Sequence, residues 1–126
     1  MRVKKEFIVP NLVVTVGKNY IASRMTGNST TVMGYMAIGT GTGTPASGDT
    51  TLGTEAGRVA LTAFTSSTNT VTATATFPAG TGTGAITEAA IFNASTGGTM
   101  LCRTVFPVVT KQAGDTIAIT WKVTVS

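Results

Sequence analysis

The 126-residue sequence predicts an all-β fold, an antiparallel β-sandwich of jelly-roll or immunoglobulin-like type with about seven or eight strands and an extended N-terminal arm. Three observations carry that expectation. Thr, Gly, Ala and Val dominate while charged residues are only 11% of the chain, a balance that favours strands and turns over helices. Two stretches alternate cleanly: Val71, Ala73, Ala75 and Phe77 oppose Thr72, Thr74 and Thr76, and Ile117, Ile119, Trp121, Val123 and Val125 oppose Thr116, Ala118, Thr120, Lys122 and Thr124. Other apolar runs recur at short spacing between clusters of turn residues. The length suits one domain, which buries roughly two-thirds of its unfolded surface without staples.

Taken in order, Phe7 to Val16 reads as a strand broken by Pro10, hence an edge strand or an extended arm, with Val13 to Val16 the stronger half. Gly17-Lys18-Asn19 marks a turn, Tyr20 to Arg24 extends again, and Thr26 to Thr31 is a polar loop. Residues 1–24 thus form a basic arm and 25–126 the sandwich. Val32 to Ile38 is a strand in which Gly34 marks a bulge or a close backbone approach. From Gly39 to Gly57 no period is visible and Gly, Pro, Ser and Asp supply turn chemistry; so long a loop in a compact domain is often a binding loop. Arg58 to Phe64 returns to strand, Thr68-Asn69 turns, and Pro78 to Gly84 leads into Ala85 to Phe106, which reads as a hairpin about Asn93 to Gly98.

A symmetric hairpin register sets Phe92 opposite Thr99, Ile91 opposite Met100, Ala89 opposite Cys102 and Glu88 opposite Arg103, on a face with Ile86, Ala90, Leu101 and Val105. Glu88 and Arg103 are then a structural pair that fixes register. Neither strand alternates, which is how strands covered on both faces look, within a sandwich or at a subunit contact.

The formal charge of +4 is localised. Arg2, Lys4, Lys5, Lys18 and Arg24 against Glu6 hold all of it, and the rest of the chain balances. A basic arm suits an acidic partner surface, and equally a solubilising terminus. Nucleic acid is not expected as a partner, because basic residues are sparse beyond the arm and the aromatics are not interleaved with them. The opening apolar run is interrupted by Glu6, Pro10 and Asn11, so it is expected to be retained and not cleaved as a leader. No run reaches the ~18 apolar residues of a membrane helix. Cys102 is the only cysteine and reads as a buried small hydrophobe.

Chemistry is scarce. His is absent, and the five carboxylates Glu6, Asp49, Glu55, Glu88 and Asp115 fit no metal-loop spacing. Gly80 to Ala85 matches a loose dinucleotide fingerprint but precedes a strand pattern where a phosphate-binding helix is needed. No catalytic residue, cofactor, metal or small-molecule substrate is expected.

Met36 to Ala46, Gly48 to Glu55, Arg58 to Ala60, Ala85 to Asn93, Gly97 to Leu101, Arg103 to Phe106 and Gly114 to Thr116 together resemble a β-rich module of small tailed-bacteriophage virion proteins. The resemblance spans roughly Met33 to Ser126 and implies a structural unit of tail fibres or capsid-associated proteins. The chain lacks the heptads of a fibre shaft. A capsid decoration (cement) protein is therefore expected, binding the major capsid protein and itself as a homotrimer on the virion after synthesis in the bacterial cytoplasm; a tail-fibre or tail-appendage component is the alternative. Contacts are expected from Arg2, Lys4, Lys5, Phe7, Lys18 and Arg24 of the arm and from Thr42, Pro45, Asp49 and Leu52 of the loop.

Overall fold

A computed structural model describes residues 12–27 and 31–124. It contains β1 (Leu12–Val13), α1 (Thr15–Met25), β2 (Tyr35–Gly39), β3 (Glu55–Ala60), β4 (Ala63–Ser67), β5 (Thr70–Phe77), β6 (Gly84–Phe92), β7 (Met100–Lys111) and β8 (Ile117–Thr124). The strands form two antiparallel sheets, ordered β1-β7-β6-β2-β3 and β4-β5-β8, as the alternating patterns require of a sandwich. Between them lies a core of Met36, Ile38, Ala73, Ala75, Phe77, Ile86, Ala89, Ile91, Cys102, Trp121 and Val123. The inward residues of β5 and β8 are those the alternation selects, Val125 lying outside the described residues.

The five-stranded sheet is covered on its other face too. Val14, Leu52, Ala37, Ala90, Phe92 and Met100 make a second cluster there, roofed by the segment between β2 and β3 and by the start of α1. This explains why β6 does not alternate: both faces are buried, and the cover comes from the chain itself.

Residues 13–24 depart from the extended reading. Only Leu12 and Val13 are strand, paired with Arg103 and Cys102, and the chain then turns into an eleven-residue helix. Thr15 and Val16 favour strand and Gly17 a turn, so local propensity points away from a helix. Tertiary contact overrides it. Val14, Gly17 and Tyr20 fall on one helical face and are buried, the Val14 N–H donates to the Leu101 carbonyl at 3.2 Å and the Thr15 N–H to Ser47 at 2.8 Å. A Cβ at Gly17 would collide with the Leu101 carbonyl, so only glycine lets the helix lie this close to β7.

Two further differences concern connections. Arg58 to Phe64 is not one strand but a corner: β3 ends at Ala60, Leu61 and Thr62 cross between layers, and β4 starts the second sheet. The hairpin turn lies at Asn93 to Gly98 as expected, with Gly97 and Gly98 at positive φ and the Asn93 Oδ1 accepting from the Thr99 N–H at 2.7 Å. Its register is not symmetric. Phe92 pairs with Met100, but Ile91 pairs with Cys102, Ala90 with Arg103 and Glu88 with Val105. Irregularities at Ile91/Phe92 and at Ile86/Glu88 shift the ladder, because a bulge inserts unpaired residues and redirects side chains. Ile86 and Leu101 consequently join the inner core, leaving the face of Glu88 that the symmetric register gave them.

Candidate functional site

The one concentration of buried charge among the described residues lies where β6, β7 and the 40–54 segment meet. Glu88 has no exposed surface and Arg103 is 3% exposed, a burial that carboxylates and guanidiniums tolerate only with a full set of partners. Glu88 has such a set. Its Oε1 accepts from the Gly53 N–H at 2.8 Å and from Arg103 Nη2 and Nε at 2.8 and 3.2 Å. Its Oε2 accepts from the Gly41 and Thr54 N–H groups, both at 2.8 Å. The two residues are diagonal neighbours in the ladder, not opposite one another, yet the expected pair forms.

The loop is built around this carboxylate. A Cβ at Gly41 would stand 2.5 Å from Glu88 Oε2 and one at Gly39 2.6 Å, so these glycines exist to let backbone reach the anion. Thr87 Oγ1 donates to the Gly41 carbonyl at 2.6 Å. Arg103 adds bonds from Nη2 to the Gly43 carbonyl at 3.1 Å and from Nη1 to Asp49 Oδ2 at 3.0 Å, and that oxygen also accepts from the Ala46 N–H at 2.9 Å. One arginine and one glutamate thus hold both arms of a fifteen-residue segment. Burial pushes the Glu88 carboxyl upward, but the N–H of Thr54, the Arg103 guanidinium and the N–H groups of Gly53 and Gly41 outweigh it and keep the group below the usual carboxylate range.

The residues expected to meet partners fall into three sets. Arg2, Lys4, Lys5 and Phe7 lie outside the described residues. Lys18 and Arg24 are exposed on α1 and Thr42 is exposed on the loop. Leu52 is a correction: at 5% exposure it is an anchor of the second apolar cluster and not a contact surface. Asp49 is likewise turned inward onto Arg103, and Pro45 is half-buried.

Two cations carry roles that the sequence reading did not assign. Arg58 lies 3.7 Å over the Phe92 ring, pairs with Glu55 at 2.7 Å, and donates from Nη1 to the carbonyls of Ala94 and Gly97, both at 2.9 Å, so it clasps the β6–β7 turn. Lys111 is 1% exposed and donates to the Pro78 carbonyl at 2.9 Å. Burial pushes the Cys102 thiol up to about 12, which makes it unreactive. Among the described residues no group of three His, Cys, Asp or Glu is placed to hold a metal ion, and no helix is long and apolar enough to cross a membrane. Comparisons with family models, with curated proteins and with solved structures find no match.

Proposed function

We propose that this chain is a non-enzymatic structural protein of a bacteriophage virion, a decoration (cement) subunit that binds the outer capsid and stabilises the head by bridging shell subunits. The observation that supports a structural role is the Glu88 cluster. Both oxygens of the Glu88 carboxylate are consumed by donors from the chain's own loop and from Arg103, so this buried group is engaged in holding structure and does not face solvent. Its effect is to weld a long loop onto a sheet, which suits a subunit that bears load. The charge-poor surface supports the same reading, since few charges oppose packing against neighbours. The resemblance of Met33 to Ser126 to virion modules supplies the setting.

In this reading the basic excess meets an acidic shell surface through the exposed α1 residues Lys18 and Arg24 together with the residues that precede β1. Bridging adds buried area between shell subunits and so shifts the equilibrium toward the intact head. A tail-tip role needs the Gly/Thr loop free to adapt to a receptor, and here its backbone is pinned by Glu88 and Arg103 at Gly41, Gly43, Gly53 and Thr54. Mixing the purified protein with capsids of the phage that encodes it, followed by image reconstruction, tests the proposal. Density on the head lattice is expected; density confined to the tail, or no co-sedimentation with capsids, refutes it.

A further inference from the structure

Sheets expose a row of unpaired N–H and C=O groups at each edge, and proteins blunt such edges with charge, proline, bulges or brevity. Most edges here are blunted. β1 is two residues long, β3 carries Glu55 and Arg58, β7 contains Pro107 beside a register shift, and β8 carries Lys122. β4 has none of these devices. Ala63–Ser67 contains no charge and no proline, pairs with β5 in unbroken register, and is exposed at all five positions. Phe64, 37% exposed, is one of four large hydrophobic residues among those described that remain so open.

We infer that β4 is a self-association edge and that its occupant is β4 of a second copy, paired antiparallel about a two-fold axis at Thr65. The chemistry of the strand selects this partner. Two-fold pairing sets Thr65 opposite Thr65 of the partner and Phe64 opposite Ser66, which leaves the two Phe64 rings diagonal to one another at about 7–8 Å, within aromatic reach. No like charges meet. The nearest cation in the same row is Lys122, two strands inward, so the two Lys122 groups stand about 24 Å apart, beyond the ~8–10 Å screening length. An isologous pair closes by itself, and antiparallel ladders are the more stable kind. It is an alternative to the three-fold assembly expected from the sequence and is independent of the virion reading.

Only five residues a side join, against roughly 20–30 in a stable interface, so the association is weak and concentration-dependent. Sedimentation of the full chain from ~10 µM to ~1 mM covers the relevant affinity range. Mass is expected to rise from 12.8 kDa toward twice that value. Thr65→Lys and Thr65→Glu each place like charges opposite one another and are expected to remain monomeric, while an equimolar mixture of the two associates again. Ser66→Lys sets the two new charges diagonal to one another at about 7–8 Å, inside the screening length, and gives a smaller loss from a second position. Unfolding midpoints confirm that each variant is folded. A wild-type chain that stays at 12.8 kDa throughout, a complex of three chains, or association indifferent to Thr65→Lys and Ser66→Lys overturns the inference.

Discussion

Replacing Glu88 with Gln keeps the volume of the side chain and exchanges one acceptor oxygen for a donor. Whichever way the amide is turned, its NH2 must face groups that also donate. With the amide oxygen at the Oε1 site it keeps Gly53 and Arg103 but sets NH2 against the N–H groups of Gly41 and Thr54; the opposite rotamer keeps those two and opposes Gly53 and Arg103. At least two buried donors lose their acceptor at about 1–3 kcal/mol each, and Arg103 keeps only Asp49 as a counter-charge. The loss is expected to be about 3–5 kcal/mol, a large part of the ~5–15 kcal/mol that holds a domain together. Urea unfolding followed by the fluorescence of Trp121, the sole tryptophan and a core residue, measures it. At ~1–3 kcal/mol per molar urea, the midpoint should fall by about 1–5 M. Hydrogen exchange at Gly41, Gly53 and Thr54 reports the loop separately. A variant within about 0.5 kcal/mol of wild type, with those three amides as protected as before, refutes the view that the carboxylate anchors the loop.

Four other outcomes follow from the same structure. Because the folded Glu88 carboxyl titrates below its unfolded value of about 4.3, its stabilisation is complete above that pH and is lost as pH falls through the folded value; unfolding midpoints should drop in acid, and Glu88→Gln should remove that part of the slope. Gly17→Ala should destabilise by about 1–3 kcal/mol, even though alanine is the better helix former by ~1 kcal/mol, because its methyl meets the Leu101 carbonyl; circular dichroism melting decides the sign. Thr68→Gly should stabilise by about 0.5–1 kcal/mol, since this β-branched residue of the β4–β5 turn sits at φ 56°, and chemical denaturation reads the gain. Cys102 should not react with a thiol reagent at pH 8 until the chain unfolds, which a colorimetric assay in native and denaturing buffer distinguishes.

What the sequence conveyed depended on whether a residue's environment was local. β5 and β8 have one wet face and one dry face, so a period of two is written into them and their inward residues were legible. Glu88 and Arg103 were legible as a pair because the hairpin turn brings them together within fifteen residues. Their diagonal offset was not, because irregularities in the ladder depend on crowding by other layers and leave no mark in hydropathy. The helix at Thr15–Met25 was hidden for a related reason: Val16 argues locally for strand and Gly17 for a turn, and the decisive contact is with Leu101, distant in sequence. The loop glycines read only as turn chemistry, because the anion their backbone approaches stands more than thirty residues away.

The partners of Glu88 are 15, 34, 35 and 47 residues distant along the chain, and Arg103 reaches Asp49 across 54. Closing so many long loops costs entropy before any of those bonds forms. The cluster is therefore expected to assemble after the barrier of folding and not on the way to it. Interactions absent from a transition state leave the folding rate alone and slow unfolding. On that expectation the buried carboxylate acts on lifetime: it sets how long the finished domain stays closed under sustained stress, independently of how quickly it was made.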